Sequence, residues 1–285
     1  MSTIVAVPFL ASELSGKVIR VSRPSTADNW DVTLAPSANT KWYNFTATGS
    51  DLASLVCLAI AAATGLTVTY SWTWGKAAQL RIQFSGTAEI VLRWTHANTT
   101  FDGAFLGFDT TVDETSEGGS DNWVKADSQA QRVWVAQTQV YSFERPRRRT
   151  IAGQTLGGKV SWRTEVARTV LRPLFDLVPS PLLYRDAAED ADLATMASDY
   201  VAEDPNKSFE AAIWEPLASA TLLPIRYTPD SSALSTYHHV QPDLERGGEA
   251  WLGDMDAVVR PLTSGEDEAG LLYLMGPMPW VEWVE

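Results

Sequence analysis

The sequence predicts a β-rich α+β protein, with an antiparallel sheet covered by one helix in the N-terminal half and a second, smaller α+β domain after it. Three observations carry this reading. Short runs of β-branched and aromatic residues with period two recur between turn-forming residues. A single stretch of period 3.6 stands among them. An Arg-, Gly- and Pro-rich stretch with no sustained period separates the halves.

Lys17-Val-Ile-Arg-Val-Ser22, Trp30-Asp-Val-Thr-Leu34 and Lys41-Trp-Tyr-Asn-Phe-Thr46 read as strands joined by Pro, Ser, Asn and Asp turns. The helix follows. Ser50 is a good N-cap, Leu52, Leu55, Val56, Ala59, Ile60 and Ala63 form one apolar stripe, and Gly65 ends it. Period two then returns in Thr67–Trp74, Gln79–Phe84 and Glu89–Trp94, which read as a three-strand meander with turns at Gly75-Lys76 and Ser85-Gly86. Leu80, Ile82 and Phe84 fall on one face and Gln79, Arg81 and Gln83 on the other, the pattern of a sheet wet on one side.

The chain divides into a module over 1–144, a linker over 145–158 and an α+β assembly domain over 159–285. Arg145, Arg147, Arg148 and Arg149 make the basic cluster of that linker, read as a solvated segment or as a contact to an acidic neighbouring subunit. Beyond it, Lys159–Arg168 reads as a strand and 187–201 as a helix. Ser208 starts a short helix that cannot continue normally through Pro216. Leu223–Asp230, Ala257–Leu262 and Leu271–Leu274 supply further strands.

Composition limits the function classes. Hydrophobic residues at 45% against charged residues at 20% give material for a packed core. The formal charge of −13 opposes binding to phosphate backbones and anionic membranes. The longest apolar run, Leu55–Ala63, is half the length of a membrane span, and the first residues carry no basic segment of a secretory signal. Cys57 is the only cysteine, so no intramolecular disulfide forms. Twelve tryptophans suit broad sheet surfaces, protein interfaces and sugar stacking.

No catalytic, cofactor-binding or metal-ligating set emerges. His238 and His239 are adjacent, so on a strand they point to opposite faces, and no third ligand stands at metal-site spacing. No G-x-S-x-G elbow is present, and Gly153–Lys159 lacks the spacing of a phosphate-binding loop. Asp113, Glu114, Glu117 and Asp121 cluster in a loop whose Gly118-Gly119 reads as mobile, a poor frame for paired glycosidase carboxyls. The same loop has oxygen ligands for calcium but not in EF-hand order.

That loop is introduced by an apolar knot, Phe105-Leu-Gly-Phe108, and followed by Ala126-Asp-Ser-Gln-Ala-Gln-Arg-Val-Trp134. Preceded by the strand, the Ala/Leu-rich helix and Ile90-Val-Leu-Arg-Trp94, this order resembles a module of tailed-bacteriophage virion proteins, in which an LLGF-like turn precedes a Ser/Thr-rich loop. Ser208-Phe-Glu-Ala-Ala-Ile-Trp214 and Pro224-Ile-Arg-Tyr-Thr-Pro-Asp230 are similar to stretches of phage tail and baseplate proteins. Phe105 replaces the usual first Leu, and the loop is acidic rather than Ser/Thr-rich.

The resemblance implies a non-enzymatic structural subunit of a tail or baseplate, made in the host cytoplasm and located in the virion. It implies self-association into a homo-oligomer and docking of other tail proteins, with no cofactor. Interface candidates are Phe105, Leu106, Phe108, Trp123, Trp134, Arg147, Arg148, Arg149 and Trp214, the knot closing the core and the loop acting as a strap free at its tip. The rival reading is a carbohydrate- or host-receptor-binding module, with Trp72 and Trp74 on one face of a strand stacking on a surface glycan.

Overall fold

The structure, a computed structural model, describes residues 2–45, 51–74, 78–137, 140–144, 147–154, 160–166, 168–184, 208–218, 224–230, 233, 236–244, 247–261 and 272–283. It is β-rich with few helices and its strand pairs are antiparallel, so the α+β class stands. The expected helix 187–201 and the turn at Gly75-Lys76 lie outside the described residues.

In the N-terminal lobe the helix runs Leu52–Thr64 and ends at Gly65 in the left-handed conformation (φ +72°), as its sequence demands. Its N-cap is Asp51, one residue after the serine expected for it: the Asp51 carboxylate accepts from the backbone N–H groups of Ala53 (2.7 Å) and Ser54 (3.3 Å). A carboxylate at this end also favours the helix dipole.

Val68–Trp74 and Ala78–Phe84 pair in full register, and Leu80, Ile82 and Phe84 are buried as the alternation requires. The third strand of this sheet is Trp123–Lys125, not 89–94. Val91–Leu92 instead joins a different sheet, between Val18–Arg23 and Glu114–Thr115, with Asp28–Thr33 at its far edge. A meander keeps neighbours in sequence adjacent in space, and periodicity carries no information about which strand is the neighbour.

A larger sheet binds the two ends of the chain. Its order is Val133–Gln137, Ser2–Ala6, Ile225–Thr228, His238–Pro242, Trp280–Glu282 and Val170–Pro179. Val140–Glu144, two residues beyond the first of these strands in the chain, pairs with Val170–Leu174, so the sheet curls into a half-barrel. Leu272–Met275 and Val259–Pro261 extend it beside the far half of Val170–Pro179.

Two hydrophobic cores lie on opposite sides of one wall. Ile4 and Ala6 with Val133 and Val135 face the first core, while Val5 and Val7 with Trp134 and Ala136 face the second. Period two thus serves both cores at once, and the two strands are buried on both faces. The sequence-based division places Ser2–Ala6 and 133–144 in the first module, but they pair with strands of the second half. The segment read as a linker contains the strand Arg147–Gln154, paired with Val160–Val166 through a bulge at Ile151/Gly153.

Ser208 caps as expected, its Oγ accepting from Ala211 N–H at 3.2 Å. The helix does not pass Pro216 in regular form, as expected. Glu210–Trp214 is a π-turn in which Glu215 N–H donates to the Glu210 carbonyl, and helical residues Glu215–Ala218, Pro216 among them, follow. A widened turn just before a proline gives its ring room that a regular turn denies.

Candidate functional site

The knot is a 3-10 turn, Gly103–Leu106. Asp102 starts it, its carboxylate accepting from Ala104 N–H at 3.0 Å, and Gly107 ends it at φ +90°. Phe105 stacks on Phe9 (4.5 Å between centroids) and meets Phe101 edge-on, Phe108 packs on Trp94 (5.3 Å), and Leu106 is fully buried. The Gly107 carbonyl accepts from Ser128 N–H (2.9 Å) and Ser128 Oγ (3.1 Å), tying the chain leaving the knot to the chain returning from the loop.

The loop after the knot is stitched down along its length, contrary to the expected free tip. Asp113 accepts from Arg93 Nη1 (3.1 Å), Thr95 N–H (3.0 Å) and Thr95 Oγ1 (2.8 Å). Glu114 and Thr115 pair with Leu92 and Val91. Ser116 is buried and its Oγ accepts from Ile90 N–H at 2.8 Å, while buried Asn122 donates to the carbonyls of Gly86 (3.2 Å) and Ala88 (2.8 Å) and accepts from Gly118 N–H (3.2 Å). A polar composition is compatible with either outcome; what decides is whether the polar atoms find partners in the body.

The carboxyls of Glu114 and Asp127 meet, and the charge of Asp109 reaches Glu114. Asp127 Oδ2 accepts from Asp109 N–H at 3.1 Å, and Glu114 shares a side-chain hydrogen bond with Asp127. Burial first, then the charges and hydrogen bond of Asp127 and the charge of Asp109, push Glu114 up to about 7. The folded chain therefore retains a proton that the unfolded chain releases from pH 4.5 upward. The stability it brings is full below 4.5 and is lost as pH rises through about 7. Glu114→Gln, which keeps a neutral donor toward Asp127, is expected to melt higher than the parent at pH 8 and to flatten the decline in melting temperature between pH 5 and pH 8. Equal declines in both proteins, read by calorimetry, would show that Glu114 does not hold this proton. Among the described residues no three His, Cys, Asp or Glu side chains are grouped to hold a metal ion.

The interface candidates do not converge. Leu106, Phe108 and Trp134 are buried in this chain's own cores and offer no surface to a partner. Phe105 is half-buried against the first core. Trp123 is half-buried under the Arg81 guanidinium (4.2 Å). Trp214 is half-buried and its indole N–H donates to the Trp251 carbonyl at 2.9 Å. Arg147, Arg148 and Arg149 lie on the hairpin strand already described, and the directions of their side chains lie outside the described residues. Trp72, one of the expected glycan platforms, is half-buried edge-on to Phe45, while the side chain of Trp74 is outside the described residues.

The surface that stands out is the outer side of the helix Leu52–Thr64. None of its thirteen residues carries a charge. Leu52, Leu55, Val56 and Ile60 face the core, yet Leu58 on the opposite side is 67% exposed, with Ala62 and Ala63 also in solvent. Beside them lies an open groove of about 570 Å³, lined by Ala35, Leu55, Leu58, Ala59, Ala62 and Ala63, with Thr33, Ser37, Tyr43 and Ser54 at its polar end. The Tyr43 hydroxyl is engaged there by Ser37 N–H at 2.9 Å. The remaining exposed large hydrophobic residues among those described are Val112, Tyr237 and Leu244, and none is a tryptophan. The signal was present in the sequence as a surface helix with no ionisable residue on any side, masked by a stripe that accounts for the inner side alone. Comparison with protein-family models, with curated proteins and with solved structures gives no match to this chain.

Proposed function

We propose that this protein is a non-enzymatic structural subunit of a tailed-bacteriophage virion, in the tail or baseplate, working by self-association and by docking neighbouring tail proteins. The observation that carries it is the uncharged helix with its exposed Leu58 and adjoining groove. A helix that meets water on one side ordinarily carries charged residues there, and one that is apolar all round is buried. Contiguous exposed apolar surface marks an interaction site, so the working state of this helix is a covered one. The loop stitched by Asp113, Ser116 and Asn122 suits the same role, since a rigid surface loses little entropy when a neighbour seats on it. The order of helix, Phe105–Phe108 turn and loop supports the virion assignment through the resemblance quoted above.

Immunogold labelling of purified particles of the phage that encodes the chain tests this reading. Label at the tail or its tip is the expected result. Particles free of label, with the protein present in the same lysate, would overturn it.

A further inference from the structure

We infer that the partner covering the outer side of the helix Leu52–Thr64 is a second copy of this chain, held by a two-fold contact in which Leu58 of each copy enters the groove of the other. The inference rests on the assembly reading above and names its partner.

Charge selects the occupant. In a two-fold contact the same patch lies on both sides, so any residue near the axis meets its own copy. In a chain of net charge −13 a face that carries carboxylates would set them against their own copies. The loop would oppose Asp109, Asp113, Glu114 and Glu117 to themselves. The helix side has nothing to oppose, because neither the helix nor the groove lining includes an Asp, Glu, Lys, Arg or His. No charge of the helix or of the groove lining is desolvated on contact, and a charged partner finds no opposite charge among them.

Shape points the same way. Leu58, 67% exposed, is the one large side chain among the short Ala59, Ala62 and Ala63 along the groove, so knob and hole occupy one patch. A patch with both is complementary to itself under rotation, and rows of alanine let two helices approach at the short end of the usual 8–10 Å axial distance. A 13-residue helix is about 20 Å long and about 10 Å across, so one side offers on the order of 200 Å², below the roughly 800 Å² per partner of a standard stable interface. The dimer is therefore weak on its own and concentration-dependent, and it is completed by neighbouring contacts in the assembly.

The test is sedimentation equilibrium of the full chain from about 1 to about 300 μM, with Leu58→Asp, Leu58→Gln and a control, Val112→Asp, at the 49% exposed Val112 of the loop. Melting temperatures within about 2 °C of the parent establish that the variants fold. The parent and Val112→Asp are expected to pass from monomer to dimer across the range, with Leu58→Asp weakened at least tenfold and Leu58→Gln in between. A parent that stays monomeric throughout overturns the inference. So does dimerisation that Leu58→Asp leaves unchanged. In that case the virion labelling still decides the assembly reading by itself, since a subunit can be found on particles without using this contact.

Discussion

Trp134→Ala is expected to cost about 3–5 kcal/mol, the range for deleting a fully buried tryptophan, which is a large share of the roughly 5–15 kcal/mol by which a native protein is stable. Trp134 has no exposed surface and stands edge-on between Phe175 (4.9 Å) and Phe209 (5.0 Å). Its indole N–H donates to the Leu182 carbonyl at 2.9 Å, across 48 residues of sequence. Removing the ring opens a cavity that three separate chain segments would have to collapse together, and it leaves the Leu182 carbonyl without this donor. Trp134→Phe keeps most of the packing and is expected to lose less. Urea denaturation of the three proteins measures the differences. A Trp134→Ala variant within about 1 kcal/mol of the parent would show that the second core does not depend on this wall.

Gly107→Ala is expected to destabilise by roughly 3 kcal/mol, from two costs that add. A left-handed backbone costs a residue with a side chain about 1–3 kcal/mol, and Gly107 has φ +90°. A Cβ there would also lie 2.4 Å from the Ser128 carbonyl oxygen and 3.0 Å from the Gln129 carbonyl carbon. Those are backbone atoms, so the chain returning from the loop must move, and overpacking of this kind costs about 1–3 kcal/mol. Hydrogen exchange should localise the damage to 107–130, with faster exchange at Ser128 N–H, which donates to the Gly107 carbonyl. Unchanged exchange there with an unchanged melting temperature would refute the close approach.

What was legible in the sequence were elements whose pattern is local. The helix declared itself by period and by Gly65, and the inner face of Ala78–Phe84 by alternation. What was not legible depended on partners distant in sequence. Val91–Leu92 looks like the third strand of a meander but pairs with Val18–Arg23, because a two-residue ladder is chosen by the core around it rather than by its own residues. The Arg-rich segment reads as irregular, yet Arg147–Gln154 is held by its hairpin partner. The large aromatics among the interface candidates are ambiguous in sequence because such side chains suit interfaces and cores alike. Trp134 went to the core since its one polar atom found a carbonyl there. Leu58 is not distinguished in the sequence because one leucine off a stripe is ordinary, and it becomes informative only beside the alanines that line a groove with it.

The wall buried on both sides also sets an order of events during synthesis. Thr3 Oγ1 donates to the Pro229 carbonyl 226 residues later, and the strand Ser2–Ala6 has Ile225–Thr228 along one edge. At about 5–20 residues per second, the ribosome delivers that neighbour on the order of 10–50 s after the first strand has emerged. Val133–Gln137 arrives sooner and can close the first core. During the interval the second core lacks Ile225, Tyr227, Val240, Trp251 and Trp280, so Val5, Val7 and Trp134 are only partly covered. The nascent chain thus passes through a half-built state in which one edge of Ser2–Ala6 waits unpaired for Ile225–Thr228, a sticky strand edge.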